Sequence, residues 1–294
     1  MKILITGANG QLGNEIVSIL KDKQSDIGAI DEAYKGAEII AADVDMLDIT
    51  DYSSVEKFLN EKAPDIIINC AAMTDVDGCE SKLELAMKVN AVGPRNLSIA
   101  SKKIGSKLVH VSTDYVFAGD AEFPYCEWDV CNPQSVYGKS KLLGEFYVKE
   151  FCEKYFIFRT SWLYGFVGNN FVKTMLKLGK EKDQIKVVDD QRGNPTNAND
   201  LAHNILKVAL TNEFGVYHCT GEGECSWCDF AAKIMEYSKC SCKVLPCRTD
   251  EFPKIAKRPA FSSLNNLMLK CTMGNEMRQW EVALKSYLDK LLGE

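Results

Sequence analysis

The sequence contains no apolar run approaching the ~20 residues that a helix needs to cross a bilayer, and no transmembrane helix is expected. Met1 and Lys2 lead directly into the strand-like "ILITG" without the apolar core of a signal peptide, which predicts a non-exported, cytoplasmic protein. There is no excess of positive charge. Thirty-five Lys and Arg against 41 Asp and Glu give a net charge of −6, which leaves no basic face to follow a phosphate backbone and argues against nucleic-acid partners. A Gly-x-x-x-x-Gly-Lys-Ser loop is also missing, which argues against ATP or GTP chemistry. No internal repeat, low-complexity tract or linker interrupts the 294 residues.

What is present is a large core and a rhythm. The hydrophobic content of 46% suffices for one large α/β unit or a nucleotide-binding domain with a smaller lobe. Short β-branched runs ("KILITG", "AEIIAAD", "DIIINCAA", "KLVHVST", "YFIFRTSW") alternate with helical stretches that begin at Gln11, after Asp51, and through Asn90 and Leu97. Continuous apolar strands separated by helices predict an α/β fold, a Rossmann-type doubly wound parallel sheet covered on both faces. Leu12, Ile16, Ile19 and Leu20 form one core stripe; Val55, Phe58 and Leu59 form another. Beyond Trp162 the rhythm loosens: a helix from Phe171, a strand "IKVVDD", and a helix through Ile205 and Val208 capped by Asn197 or Asn199. The expected division is residues 1–162 as the dinucleotide-binding domain and 163–294 mainly as a smaller substrate-binding lobe. The two interleave, with 185–220, including "GVYHCT", returning to the sheet. The C-terminal "MRQWEVALKSYLDKLL" reads as an amphipathic helix packed on the body.

Twelve cysteines are scattered through the chain, and Cys70 and Cys219 lie in apolar strand-like runs where a reduced thiol packs as a small hydrophobe. Cys225, Cys228, Cys240, Cys242 and Cys247 could supply four thiolates to zinc. However, "SWCDFAAKIMEYS" places Trp227, Phe230, Ile234 and Met235 at helical spacing, so Cys228 has an ordinary packing role. No metal is expected.

"ITGANGQLG" sets Gly7, Gly10 and Gly13 between the first strand and the first helix, the context in which a glycine loop binds a dinucleotide. Gly7 permits a tight turn, Gly10 admits a pyrophosphate to the backbone, and Gly13 lets helix and strand pack. Asp43 ends the second strand, where a carboxylate accepts bonds from the adenosine ribose and repels a 2′-phosphate. This favours NAD(H) and leaves NADP(H) open. Asp43 lies farther from Gly13 than usual, and Asp45 or Asp48 could share the task.

"SVYGKSK" holds Tyr137 four residues before Lys141. If Ser135 to Lys154 is one helix, both project from one face. A phenol near pKa ~10 becomes a useful acid or base at neutrality when an ammonium lies beside it. "VHVSTDYVF" ends a strand at Thr113, whose hydroxyl can polarise a carbonyl at the carboxyl edge of the sheet.

"TGANGQLG", "NCAA", Asn90, "STDYVF" and the Tyr137–Lys141 pair together resemble the extended short-chain dehydrogenase/reductase family. More narrowly, "AAMTDVDGCE", "VNAVGPRNL", "YGKSKLLGE", "RTSWLYG", "DDQRGNPT", "GVYHCTGEG" and "RPAFSSL" resemble successive blocks of the dTDP-4-dehydrorhamnose reductases, in order, to about Leu264. The resemblance implies NADH- or NADPH-dependent reduction of the C4 ketone of dTDP-4-dehydro-L-rhamnose to dTDP-L-rhamnose, for surface polysaccharide. It makes Tyr137 the proton donor, Lys141 its partner and a ribose ligand, and Thr113 the group holding the reacting oxygen. Asp114 and Trp162 match sugar-nucleotide contacts, and Gly10, Gln11 and Leu12 match the diphosphate loop. Ala71, Ala72 and Thr74 match the wall beside the cofactor, with Asn90 among the cofactor-binding positions. Some members dimerise through an acidic magnesium site that Glu15 could join, so a homodimer is possible, although a first-turn glutamate also suits the helix dipole. The chain departs from the family at Met73, where tyrosine is usual, and in the cysteine-rich stretch 225–247. Tyr115 stands where nucleotide-sugar dehydratases carry a glutamate, which argues against elimination. The alternatives are a nucleotide-sugar 4-epimerase, or a non-catalytic NAD(P)-binding subunit like the regulatory subunit of methionine adenosyltransferase.

Overall fold

The computed structural model describes residues 1–293. Six parallel strands form the central sheet in the order Gly215–His218, Tyr155–Thr160, Lys107–Thr113, Ile66–Asn69, Lys2–Thr6 and Glu38–Ala42. Alternation of side chains splits each strand between two cores. Ile3, Ile5, Ile66 and Ile68 face the helices Gln11–Asp22 and Ala198–Ala209. Leu4, Ile67, Leu108 and Ile157 face the helices Tyr52–Lys62, Gly93–Ile104 and Val136–Phe151. Both faces being covered explains why these strands read as unbroken apolar runs. The chain leaves Lys2–Thr6 toward Glu38–Ala42 on one side, then crosses to Ile66–Asn69 on the other. That reversal opens a crevice at the carboxyl ends of the strands, the place where open α/β sheets bind ligands.

The second lobe has its own core, in which Val172, Met175, Phe230, Ile234, Trp280, Leu284 and Tyr287 pack together. Gly215–His218 pairs with Tyr155–Thr160 in the main sheet, and Ala198–Ala209 packs against the first helix. Residues 185–197 differ from expectation. Gln184–Val188 pairs with Lys243–Cys247 in a separate two-stranded sheet of the second lobe. Its burial alternates, Ile185 and Val187 inside, Gln184 and Lys186 outside. A strand polar on one face cannot enter a sheet covered on both. The C-terminal helix Trp280–Leu292 packs on the body, where Tyr287 donates to the Gly165 carbonyl at 2.9 Å.

No helix among the described residues is long and apolar enough to cross a membrane. Cys225, Cys240 and Cys242 are absorbed into the second core, and no three His, Cys, Asp or Glu side chains among the described residues come together as metal ligands. Glu15 lies beyond the first helical turn. It is buried and accepts from Asn199 Nδ2 at 3.0 Å.

Candidate active site

The glycine loop is shaped by contacts that leave no room for side chains. Gly7 has φ of +64°, and a Cβ there would lie 2.7 Å from the Ala71 nitrogen; one on Gly13 would lie 2.3 Å from the Gly7 carbonyl oxygen. Only glycine fits either place. Gly10 is different, because a Cβ on it would meet only the Gly7 carbonyl, at 3.2 Å, which leaves its outer side open. It is the N-cap of the first helix and gives no side-chain cap, and the first turn carries no acidic residue. The positive end of that helix therefore faces an open cradle, the arrangement that holds a diphosphate.

The loop forms one wall of a cavity of about 410 Å³ that also reaches Thr74, Thr113, Tyr137, Lys141 and Trp162. Each arrives by a separate route. Thr113 ends its strand and Asp114 opens the turn behind it. Ser135 caps the Val136–Phe151 helix by accepting from Gly138 N at 3.1 Å, which aims Tyr137 and Lys141 inward. Trp162 follows the Tyr155–Thr160 strand with φ of +45°. A left-handed conformation is costly for so bulky a residue and persists where surroundings enforce it. Here Trp162 stacks on Trp227, ring centroids 3.5 Å apart.

Burial dominates the electrostatics. The Tyr137 phenol is pushed well above its ordinary pKa by burial, against the opposing bond to the Thr113 hydroxyl. Lys141 donates to the Val111 carbonyl at 2.5 Å, and burial pulls it down to about 8. Asp114 is raised to about 6 by burial, against the hydroxyls of Ser262 and Thr113. Thr113 Oγ1 donates to its Oδ1 at 2.8 Å, and Oδ2 has no hydrogen-bond partner.

The cavity brings together Gly7, Gly10, Gln11, Leu12, Gly13, Ala72, Thr74, Thr113, Asp114, Tyr137, Lys141 and Trp162. Ala71 packs behind Gly7. Asp43 is not a lining residue but is tied to the glycine loop, where its Oδ2 accepts from Asn9 N at 3.1 Å. Asp48 does not approach the cavity: it is exposed and closes a local turn on Thr50. Asn90 is also not a lining residue. It is fully buried, brackets Met73 through both backbone groups (Oδ1 from N at 2.8 Å, Nδ2 to O at 3.0 Å) and donates to Ser140 Oγ. An amide that satisfies a bend in another segment has no donor left for a ligand. Met73 itself packs against Tyr137, Cys79 and Ala86.

A second cavity of about 360 Å³, for which no motif in the sequence is a signal, shares Tyr115 with the first and is lined by Phe171, Trp227, Lys186, Lys254 and Arg258. Arg258 donates to Tyr115 OH at 3.2 Å and to Asp77 Oδ2 at 2.8 Å. Tyr115 stands edge-on to Tyr137, centroids 5.5 Å apart. "RPAFSSL" was the only signal for Arg258; nothing in its spacing links it to Asp77 or Tyr115.

A parallel doubly wound sheet with a glycine cradle, and a Thr–Tyr–Lys set facing it across one cavity, defines an extended short-chain dehydrogenase/reductase with an NAD(P) site. Within that class the chain belongs to the RmlD substrate binding domain family, which matches residues 1–292. It is 40% identical to the spore coat polysaccharide biosynthesis protein SpsK of Bacillus subtilis, across 98% of this chain and 97% of that protein. It is 52% identical to a crystal structure of a dTDP-4-dehydrorhamnose reductase from Clostridium acetobutylicum, with a TM-score of 0.94 over 99% of this chain and 100% of the other. The corresponding enzyme from Bacillus anthracis, solved in complex with NADP, is 44% identical with a TM-score of 0.91, over 98% of this chain and 99% of that one.

Proposed function

We propose that the chain reduces the C4 ketone of dTDP-4-dehydro-L-rhamnose to dTDP-L-rhamnose, with NADH or NADPH as reductant. The observation that carries this reading is the meeting of Thr113, Tyr137 and Lys141 with the glycine cradle in a single cavity. When bound, the reduced nicotinamide supplies the hydride. The chain supplies the proton and the geometry. Tyr137, kept protonated by burial, is an acid in its donating form and gives its proton to the ketone oxygen as that oxygen gains charge. Thr113, whose hydroxyl donates to Asp114 Oδ1 in this structure, turns that donor to the same oxygen and stabilises the developing alkoxide. Lys141, directed by Val111, holds the cofactor ribose through its remaining donors. Asp114 and Trp162 hold the sugar.

The second cavity supports a nucleoside diphosphate as the remainder of the substrate. Trp227 and Phe171 offer flat apolar faces to a base, and Lys186, Lys254 and Arg258 offer cations to a diphosphate. Asp43 at the rim of the loop favours NADH, since it would repel a 2′-phosphate. The division of labour follows: residues 1–162, joined by the helix and strand within 198–218, carry the cofactor, and the rest of 163–294 carries the sugar nucleotide.

The test is loss of absorbance by NADH and, separately, NADPH on addition of dTDP-4-dehydro-L-rhamnose. Oxidation is expected, and Tyr137→Phe should lower kcat by roughly 10²- to 10⁴-fold, the range of a general acid, with cofactor affinity little changed. An unimpaired Tyr137→Phe variant removes Tyr137 as the acid. No oxidation with either cofactor, from protein that binds NADH, refutes the reading.

A further inference from the structure

Behind the cavity wall lies a buried ion pair that the reaction scheme above leaves without a task. Glu145 stands one turn beyond Lys141 on the Val136–Phe151 helix. It accepts from Arg159 Nε at 2.9 Å and Nη2 at 2.8 Å, and from Ser112 Oγ at 2.6 Å. Arg159 is also buried, donates to the Glu127 carbonyl at 3.2 Å, and lies over the Phe117 ring. Three successive strand residues thus answer three residues of one helix. The Val111 carbonyl takes Lys141, the Ser112 hydroxyl takes Glu145, and the Thr113 hydroxyl meets Tyr137.

Stability alone is a poor reason for this pair. Taking two ions out of water costs several kcal/mol each, and apolar residues of similar volume often hold such a place equally well. Lys141, by contrast, is an ammonium in the interior whose hydrogen bond goes to a neutral carbonyl. The titratable groups around it are Glu145 and Tyr137 on its own helix, Cys70 beyond the Ile66–Asn69 strand, and His110 on the Lys107–Thr113 strand. Burial holds the Cys70 thiol protonated, up at about 12, and holds His110 neutral. Asp114 acts on Tyr137 and not on Lys141. Glu145 is therefore the anion that faces the lysine, and it opposes the pull of burial ahead of Cys70. Burial resists ionisation of Glu145 too, but the Arg159 and Ser112 bonds outweigh it and keep the carboxyl below its ordinary pKa. Glu145 stands between two lysines of its own helix, one turn from the buried Lys141 and 3.9 Å from the Nζ of the more exposed Lys149.

We propose that Glu145 is a positioning residue for Lys141: its carboxylate, clamped by Arg159 and Ser112, keeps the lysine ammonium charged inside the dry wall, while the Val111 carbonyl fixes its direction. This rests on the reductase reading, in which a charged Lys141 holds the cofactor ribose. The experiment is the pH profile of kcat/KM for NADPH oxidation by the full-length chain. Wild type should lose activity on an alkaline limb near pH 8, where Lys141 deprotonates. Glu145→Gln should move that limb down by about one pH unit, a tenfold change in lysine protonation. The double variant Glu145→Met with Arg159→Met removes both buried charges, relieves the structural defect, and should keep the shift. Glu145→Asp retains the charge one methylene farther back and should give an intermediate limb. A purely structural role predicts lower activity at every pH with the limb in place. An unmoved limb in the folded double variant, or in Glu145→Gln if that alone folds, overturns the proposal. Absence of wild-type turnover overturns the reductase reading instead.

Discussion

Two residues show how one chemistry is assigned by different surroundings. Tyr137 is a buried phenol and Tyr115 a half-buried one, their rings edge-on. Tyr115 is committed to Arg258, whereas Tyr137 meets Thr113 at the cavity that contains the glycine cradle. Asp43 is a comparable case among carboxylates. Its Oδ2 is held by Asn9 of the glycine loop, while Asp48 Oδ1 accepts from Thr50 N and Oγ1 in a local turn. Asp43→Ala should weaken NADH more than NADPH, because it removes an acceptor for the ribose hydroxyls and also removes the repulsion of a 2′-phosphate. Fluorescence titration of the two cofactors checks this, and an equal loss for both would place the ribose elsewhere.

At the scale of elements, the site depends on how closely the first helix meets its strand. A Cβ on Gly13 would overlap the Gly7 carbonyl oxygen at 2.3 Å and the Ala8 Cα at 2.8 Å. These are backbone atoms with no rotamer to change. Gly13→Ala should therefore destabilise the fold by about 1–3 kcal/mol, the usual range for overpacking, and should displace the loop enough to weaken cofactor binding. Urea denaturation together with cofactor titration checks both. A variant of unchanged stability and affinity would show that the helix can back away at little cost. The Lys88–Val92 segment makes a similar point. It is one turn of π-helix, leading into the Gly93–Ile104 helix, and it carries Asn90. Asn90 from this turn fastens the Met73 bend, whose neighbours Ala72 and Thr74 line the cavity.

The whole molecule carries two buried histidines that cannot easily accept a second proton. His218 places Nδ1 against the Tyr125 carbonyl at 3.0 Å and Nε2 against Arg159 Nη1, so burial first and the arginine second hold it down to about 3. His110 is held well below its usual value by burial, then by Lys141. The unfolded chain titrates these groups near pH 6.5. As pH falls below that value, the unfolded state binds protons that the folded state refuses, and stability drops from about 6.5 toward 3. Thermal melts between pH 7 and 4.5 should show the fall, and His218→Gln should make it shallower once its own stability offset is subtracted. A slope unchanged by the substitution would assign the acid sensitivity to the carboxylates.

Local order determined much of this protein. The apolar strands, the stripe Leu12, Ile16, Ile19 and Leu20, the Ser135-capped helix and the glycine loop are all set by neighbours within a few residues, where periodicity, caps and backbone freedom act directly. The positions of Gly10, Thr113, Tyr137 and Lys141 were legible for that reason, and their gathering followed once the sheet was parallel. Tertiary packing decided what depends on distant segments. It placed Gln184–Val188 beside Lys243–Cys247 instead of in the main sheet, and turned Asn90 from the cofactor to Met73. It left Asp48 at the surface, carried Arg258 across to Asp77 and Tyr115, and set Glu145 against Arg159 behind Lys141. These contacts join residues whose spacing in the chain carries no period, and burial, which exists only in the folded molecule, is the largest influence on the protonation of Tyr137, Lys141 and Asp114.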